Sequence, residues 1–239
     1  MLRVKRSPHA LIVNTENLSL KTSQMDQALF HLINQQWTHP ALDLFMAAIS
    51  DVEIWKPFLI VLVLCILVFG GFKGRAFVIC LALALMVADY FLVSTLKTAI
   101  NRRRPKQVQR VRMVQLERAN PQFLTLFRKP TVRYSDETDR EKSGPSFPSG
   151  HVTDNMIIGT ICFLFFRRWG WLYFFLAAAI AWSRIYLGAH WPTDVFGTVF
   201  MAVGEALLMV ALLEFLWKQL APRWWPETFA RHPRLIAQS

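Results

Sequence analysis

The sequence predicts an all-α protein, a polytopic membrane helical bundle with about five to six transmembrane helices. Three observations predict it. Hydrophobic residues make up 54% of the 239 positions, and they gather in long runs. Each run carries few or no charges, as a lipid-embedded segment requires. Tryptophans and basic residues collect at the run ends, as they do at membrane–water boundaries. Backbone groups in lipid must bond within their own segment, so the runs are helices and not open strands.

The chain divides into three regions. Residues 1–56 form a basic N-terminus and an amphipathic or interfacial segment. The apolar run Ala10–Val13 is too short for a signal peptide. Residues 25–49 mix Asp26, His31, His39 and Asp43 with Phe30, Ile33, Trp37 and Phe45. This pattern predicts two interfacial pieces broken near His39–Pro40, with a sixth span as the alternative. Residues 57–217 form the transmembrane domain. Pro57–Phe72 has no charge, and Ala76–Leu96 has only Asp89. Val152–Phe166 carries Asp154, Trp171–Leu187 carries Arg184, and Val195–Trp217 carries Glu205 and Glu214. A span needs about 17 to 20 apolar residues, so the first and third of these runs need a few flanking residues. A long basic loop, 98–147, interrupts the domain. Residues 218–239 form a basic tail. Cys65, Cys80 and Cys162 all fall in apolar runs without ligand spacing and read as buried small hydrophobes.

The net charge is +11, and from Lys97 to Phe147 there are 13 basic against 5 acidic residues. The aromatic and glycine patterns of nucleic-acid modules are missing, so nucleic acid is not the expected partner. Two readings remain: a solvated face beside anionic headgroups, or a site for a phosphorylated substrate.

Three constellations favour the second. Lys97 and Arg104-Pro105 close a span; seven positions apart, they would share a helix face. An ammonium with a guanidinium suits a phosphate. Pro148-Ser149-Gly150-His151 opens the next span. Ser149 is a plausible N-cap, Gly150 permits close backbone approach, and free N–H groups at a helix start attract an anion. His151 at that end can donate a proton. Ser183-Arg184, His190 and Asp194 join the last two spans. Charge within a span suggests function. Pro192 suits the first turn of the following helix, and Asp194 would accept one imidazole N–H of His190, leaving its other nitrogen as a nucleophile. The chain crosses twice between the second and third constellations, turning at Arg167-Arg168. All three therefore fall on one membrane face.

Lys97…Arg104-Pro105, Pro148-Ser149-Gly150-His151 and Ser183-Arg184…His190…Asp194 resemble the three-part signature of the type 2 phosphatidic acid phosphatase (PAP2) superfamily. The resemblance implies a lipid phosphate phosphatase. His190 would be the nucleophile forming a phosphohistidine, Asp194 its orienting partner, and His151 the general acid and later base. Lys97, Arg104, Ser149, Gly150 and Arg184 would cradle the phosphate. No cofactor and no metal are implied. The partners are a phosphorylated lipid and membrane lipids: undecaprenyl diphosphate, a lipid A phosphate, phosphatidylglycerol phosphate or phosphatidic acid. The basic loop hints at a substrate with more than one negative group. Short loops place Lys73, Arg75, Arg167 and Arg168 on the opposite face. By positive-inside counting that predicts a bacterial inner-membrane protein with its site on the periplasmic face. A phosphotransferase with the same site, and a catalytically silent lipid-binding or transport protein, are the alternatives.

Overall fold

The computed structural model describes residues 24–236; the basic N-terminus at 1–23 and the last three tail residues lie outside them. The chain is 75% helical. Among the described residues the exception is one antiparallel pair, β1 (Arg112–Gln115) and β2 (Thr131–Tyr134), with Arg112 opposite Tyr134. The all-α expectation thus holds for the bundle and misses a hairpin in the long loop. Its Val114, Thr131, Val132 and Tyr134 are strand-favouring residue types in runs too short for an amphipathic helix.

The N-terminal segment is in two pieces. Helix α1 covers 24–36, ending in a π-helical turn at Leu32–Gln36, and α2 covers Pro40–Ser50. Pro40 occupies the first turn, where its missing N–H costs nothing, and His39 Nδ1 accepts from the Ala41 N–H at 3.2 Å. Asp26, Asn34 and Asp43 point inward and are buried. Of the polar residues that suggest an interfacial face, Asp26 and Asp43 therefore serve the protein interior, while His31 and His39 are exposed.

Helix α3 (Val52–Phe69) begins before Pro57 because Asp51 caps it, accepting from the Glu53 N–H at 3.1 Å. Helix α4 spans 71–100 with a π-helical stretch at Ala88–Val93. Helices α5 (Gly150–Phe165), α6 (Tyr173–Tyr186) and α7 (Pro192–Trp224) complete the bundle. Three stretches, Val52–Phe69, Gly71–Val108 and Pro192–Trp224, are long and apolar enough to cross a membrane. Helices α5 and α6 have only 16 and 14 residues, short of the about 17 that a span requires. Helix α6 keeps Phe175, Leu176 and Trp182 exposed, whereas α5 lies at the centre. Helix α5 packs on α4, α6 and α7, burying Val152, Ile157, Ile161 and Phe165. Helix α7 meets this core with Ala202 and Ala206, both buried; small residues let helices approach closely. Helix α3 is the opposite case. Phe58, Ile60, Val61, Leu62 and Leu64 are exposed, an apolar face too large for water. Cys65 is exposed on that helix, against expectation, while Cys80 is buried.

A buried knot fastens the N-terminal piece and the loop to α6. The Asn34 side chain donates to the carbonyls of Arg112 (2.9 Å) and Tyr186 (2.7 Å) and accepts from the Arg112 N–H at 3.1 Å. Tyr186 donates its hydroxyl to Asp43 at 2.6 Å, and Arg112 pairs with the other Asp43 oxygen at 2.6 Å. That pair is largely covered, with side chains 12% and 5% exposed. Stripping one member from a buried pair costs about 3–5 kcal/mol. Asp43→Ala should therefore lower the thermal midpoint of detergent-purified protein far more than Arg128→Ala. The Arg128–Glu117 pair is solvent-exposed and worth about 0–1 kcal/mol. Equal midpoints would contradict this.

Candidate active site

Chain geometry brings the three motifs to one end of the bundle. Helix α4 stops at Ile100, where Asn101 adopts a left-handed conformation (φ 45°) and donates its N–H to the Lys97 carbonyl at 3.0 Å. Arg104 is extended (φ −72°, ψ 157°), as the residue before a proline must be. Lys97 and Arg104 therefore do not share a helix face. The chain turns between them, and Arg104 reaches the site from the loop. Its Nε donates to the Gly144 carbonyl at 3.0 Å and its Nη1 to the Ala189 carbonyl at 3.2 Å.

Ser149 occupies the N-cap position of α5, yet its side chain makes no capping bond. Its hydroxyl is buried without a partner, while its N–H donates to Thr198 Oγ1 at 3.1 Å. At Gly150, an added Cβ would meet nothing within 4 Å, so open space lies over this backbone. An unpartnered hydroxyl, open space and a helix N-terminus together suit an anion. His151 is next in the chain, with Nε2 3.1 Å from the Ser50 carbonyl. Arg184, near the end of α6, bonds the Ser50 hydroxyl through Nη1. Its Nε is buried and unpartnered.

Between α6 and α7 the chain folds back on itself. The Arg184 carbonyl accepts from the N–H groups of Ala189 (3.0 Å) and His190 (3.1 Å). Gly188 allows this with φ +73°; a Cβ there would press on Val111 Cγ2 at 3.0 Å. His190 is only 2% exposed. Its Nδ1 lies 2.6 Å from the Ser146 carbonyl. A carbonyl only accepts, so Nδ1 carries the proton and Nε2 keeps its lone pair. Nε2 faces Arg104 Nη1 at 3.5 Å. Burial first, then Arg104 and Arg184, with Lys97 adding less, push the imidazole well below its ordinary pKa.

Asp194 sits in the first turn of α7 behind Pro192, as expected, but it does not hold the imidazole. Its nearest oxygen is 4.0 Å from His190 Nδ1, beyond hydrogen-bond reach. That oxygen accepts from the Trp191 N–H at 3.0 Å and from the Ser146 hydroxyl. The other takes Arg102 Nη1 at 2.6 Å. The first turn of the helix folds the carboxylate back on its own N-terminus, and Ser146 bridges the gap, its carbonyl on His190 and its hydroxyl on Asp194. Arg102 also pairs with buried Asp26 of α1 at 2.5 Å, and Asp26 accepts from the Thr193 N–H (3.0 Å) and hydroxyl (2.7 Å). Sequence reasoning missed Arg102, Asp26, Ser146 and Ser50. Arg102 stands within an Arg-Arg-Arg triplet, and Asp26 is a lone carboxylate far upstream.

With this geometry in place, comparison with known proteins defines the class. The family model for the PAP2 superfamily matches residues 76–218, and the chain belongs to that family. It is a multi-pass membrane protein. Among curated relatives, it is similar to the bacitracin transport permease protein BcrC of Bacillus licheniformis, at 42% identity over 64 residues (27% of this chain, 32% of the relative). It is also similar to the lipid A 4'-phosphatase of Bacteroides thetaiotaomicron, 28% identical over 160 residues (65% of this chain). The matched stretches thus span about a third of the first relative and 63% of the second. Among solved structures, the crystal structure of Aquifex aeolicus LpxE aligns with a TM-score of 0.55 and 26% identity, covering 77% of this chain and 94% of that one.

Two outcomes are expected. Ring-nitrogen NMR of the free protein should find His190 neutral, with Nδ1 protonated, as pH falls through the ordinary imidazole value of about 6.5; protonation there would contradict the assignment. Arg102→Ala leaves two buried carboxylates without their shared cation and should cost about 3 kcal/mol or more of stability. Arg102→Lys should recover little of it, because one ammonium lacks the fork that reaches both. Full recovery by lysine would show that the bridging geometry is immaterial.

Proposed function

We propose that this chain is a lipid phosphate phosphatase that works through a phosphohistidine on His190. The observation that carries the reading is the His190 ring: its Nδ1 is fixed by the Ser146 carbonyl at 2.6 Å, and its Nε2 is free at 3.5 Å from Arg104. Burial and the neighbouring cations keep that nitrogen unprotonated and nucleophilic. Lys97, Arg104 and Arg184 supply the positive charge that a transferring phosphoryl group requires. Ser149 and the backbone at Gly150 add neutral donors.

In the first step Nε2 bonds to phosphorus as the bond to the lipid oxygen breaks, and His151 gives that oxygen a proton. In the second, His151 takes a proton from water, whose oxygen attacks phosphorus and releases phosphate from His190. The phosphorylated ring is more cationic than the free one. Asp194, at 4.0 Å, stabilises it through space rather than by a hydrogen bond. These residues need no metal for the charge they handle.

The relatives support a lipid as substrate, one being a lipid A 4'-phosphatase. Undecaprenyl diphosphate, phosphatidylglycerol phosphate and phosphatidic acid are the other substrates to test. In this reading α5 and α6 also cross the bilayer, giving five spans with α3, α4 and α7. Residues 57–217 act as the catalytic domain between the N-terminal segment and the basic tail. The site faces the periplasm of a bacterial inner membrane, with the short basic turns opposite. A phosphotransferase would share every residue named and differ only in which acceptor reaches the phosphohistidine.

Purified protein should release phosphate from at least one of these lipids with EDTA present. His190→Ala should abolish release, a fall of at least about 10³-fold. Acid-labile label from a radiolabelled donor should appear on wild type and not on His190→Ala. Unchanged turnover in His190→Ala would sink the proposal.

A further inference from the structure

Helix α2 ends at Ser50, beside the site and outside residues 76–218 that carry the family match. The last carbonyls of a helix have no partner within it. The Ser50 carbonyl finds one in His151, whose Nε2 lies 3.1 Å away. The Ser50 hydroxyl oxygen accepts from Arg184 Nη1. One residue, 7% exposed, therefore holds two members of the site that stand on separate helices, α5 and α6. It is 101 and 134 positions from them in the chain.

These bonds fix more than position. A carbonyl only accepts, so Nε2 of His151 carries the proton in that bond and Nδ1 is left for proton transfer. In the phosphatase reading, on which this inference rests, Nδ1 of the protonated ring gives its proton to the lipid oxygen as the bond to phosphorus breaks. It later takes one from the attacking water. The Nε2 proton stays on the Ser50 carbonyl through both steps. His190 has the reverse assignment, with Nδ1 fixed by the Ser146 carbonyl. Ser50 and Ser146 are thus used alike: each fixes a histidine through its carbonyl and a charged side chain through its hydroxyl.

The end of α2 also suits the charges that it meets. A helix C-terminus carries partial negative charge within its last turn, and α2 has 11 residues. It faces the Arg184 guanidinium and the His151 ring, which is cationic until it gives up its proton. A carboxylate in that place would neutralise Arg184 and compete with a phosphate. The neighbouring one, Asp51, is turned instead to Arg118 and to the Glu53 N–H. A hydroxyl orients the guanidinium and leaves its charge uncompensated. Arg184 Nε has no partner, so a donor remains for a phosphate oxygen. Nor is this corner sealed in packing. Ser50 and His151 together line a cavity of about 670 Å³, which Arg184 also lines, and an apolar groove of about 610 Å³.

We propose that Ser50 is a positioning residue, which aims Arg184 at the phosphate through its hydroxyl and fixes His151 for proton transfer through its carbonyl. The N-terminal segment thereby completes the site from ahead of residues 57–217.

The test uses full-length protein in detergent. Ring-nitrogen NMR should show neutral His151 as the Nε2–H tautomer, opposite to His190, in wild type and in Ser50→Ala alike, because the carbonyl is main chain. The Nδ1–H tautomer in wild type would overturn the carbonyl's role. Binding of inorganic phosphate, followed by phosphorus NMR, should weaken about tenfold in Ser50→Ala. Ser50→Thr keeps the hydroxyl and should recover most of that loss. A merely structural serine would lower the thermal midpoint and leave the phosphate affinity of the folded protein unmoved. Unmoved affinity in Ser50→Ala, or no recovery in Ser50→Thr, would overturn the hydroxyl's role while leaving the phosphatase reading intact. No phosphate binding by wild type, together with lipid phosphate release that His190→Ala leaves unchanged, would instead remove the reading beneath it.

Discussion

Asp194 is fully buried, and a carboxylate out of water costs several kcal/mol unless its oxygens are satisfied. Here the partners come from separate parts of the chain: Arg102 after α4, Ser146 before α5, and the Trp191 N–H at the start of α7. Satisfying this one group therefore draws together the segments that carry all three motifs. Arg102 extends the bond network to Asp26, so α1 is joined to the same point. The site is not a cluster added to a finished bundle. Its geometry comes from solvating one buried charge with the protein's own groups.

The arrangement divides the cations by task. Arg102, Arg112 and Arg133 are tied to carboxylates and hold the loop in place. In the Arg133 pair the guanidinium keeps the Asp139 carboxyl well below the usual carboxylate range, as a committed ion pair does. Arg104 and Arg184 instead bond carbonyls and a hydroxyl. Neutral partners leave their charge uncompensated, which a phosphate can then use. The same contrast explains the state of His190. With no carboxylate in contact, burial and the two nearby guanidiniums outweigh the Ser146 carbonyl, whose hydrogen bond favours the protonated ring.

Much of this was legible in the residues. Apolar runs located α3, α4 and α7, because lipid imposes length and composition directly. The break before Pro40 and the helix start at Pro192 came from proline geometry alone. The motif residues converge as their order along the spans implied. Other features were hidden for physical reasons. The helix between Lys97 and Arg104 ends because Asn101 takes a left-handed turn, a choice Asn permits but does not announce. The bond from His190 goes to a backbone carbonyl of Ser146, and a main-chain acceptor leaves no residue type to read. Asp26 is 168 positions from Asp194, and only the fold makes them share Arg102. Counting loop charge could not reveal that Arg102, Arg112, Arg128 and Arg133 are paired with carboxylates, because a sum does not show which charges neutralise one another.

The membrane explains why short α5 can sit at the centre while α3 and α7 turn apolar faces outward. Helices α3 and α7 present apolar side chains outward, Phe58 and Leu62 on one and Phe196, Phe200 and Leu208 on the other. Lipid covers those faces at no hydrophobic cost. Helix α5 is enclosed by α4, α6 and α7 and need not match the hydrocarbon thickness by itself. At its N-terminus stand Ser149 and His151, and an apolar groove lined by Trp55 and Leu176 reaches His151. An amphiphile bound as proposed would keep its phosphate among the arginines and its chains in apolar surroundings. Extraction would cost about 0.8 kcal/mol for every methylene exposed to water. In the proposed reading, a polar site with an apolar groove beside it serves a substrate that belongs to two solvents.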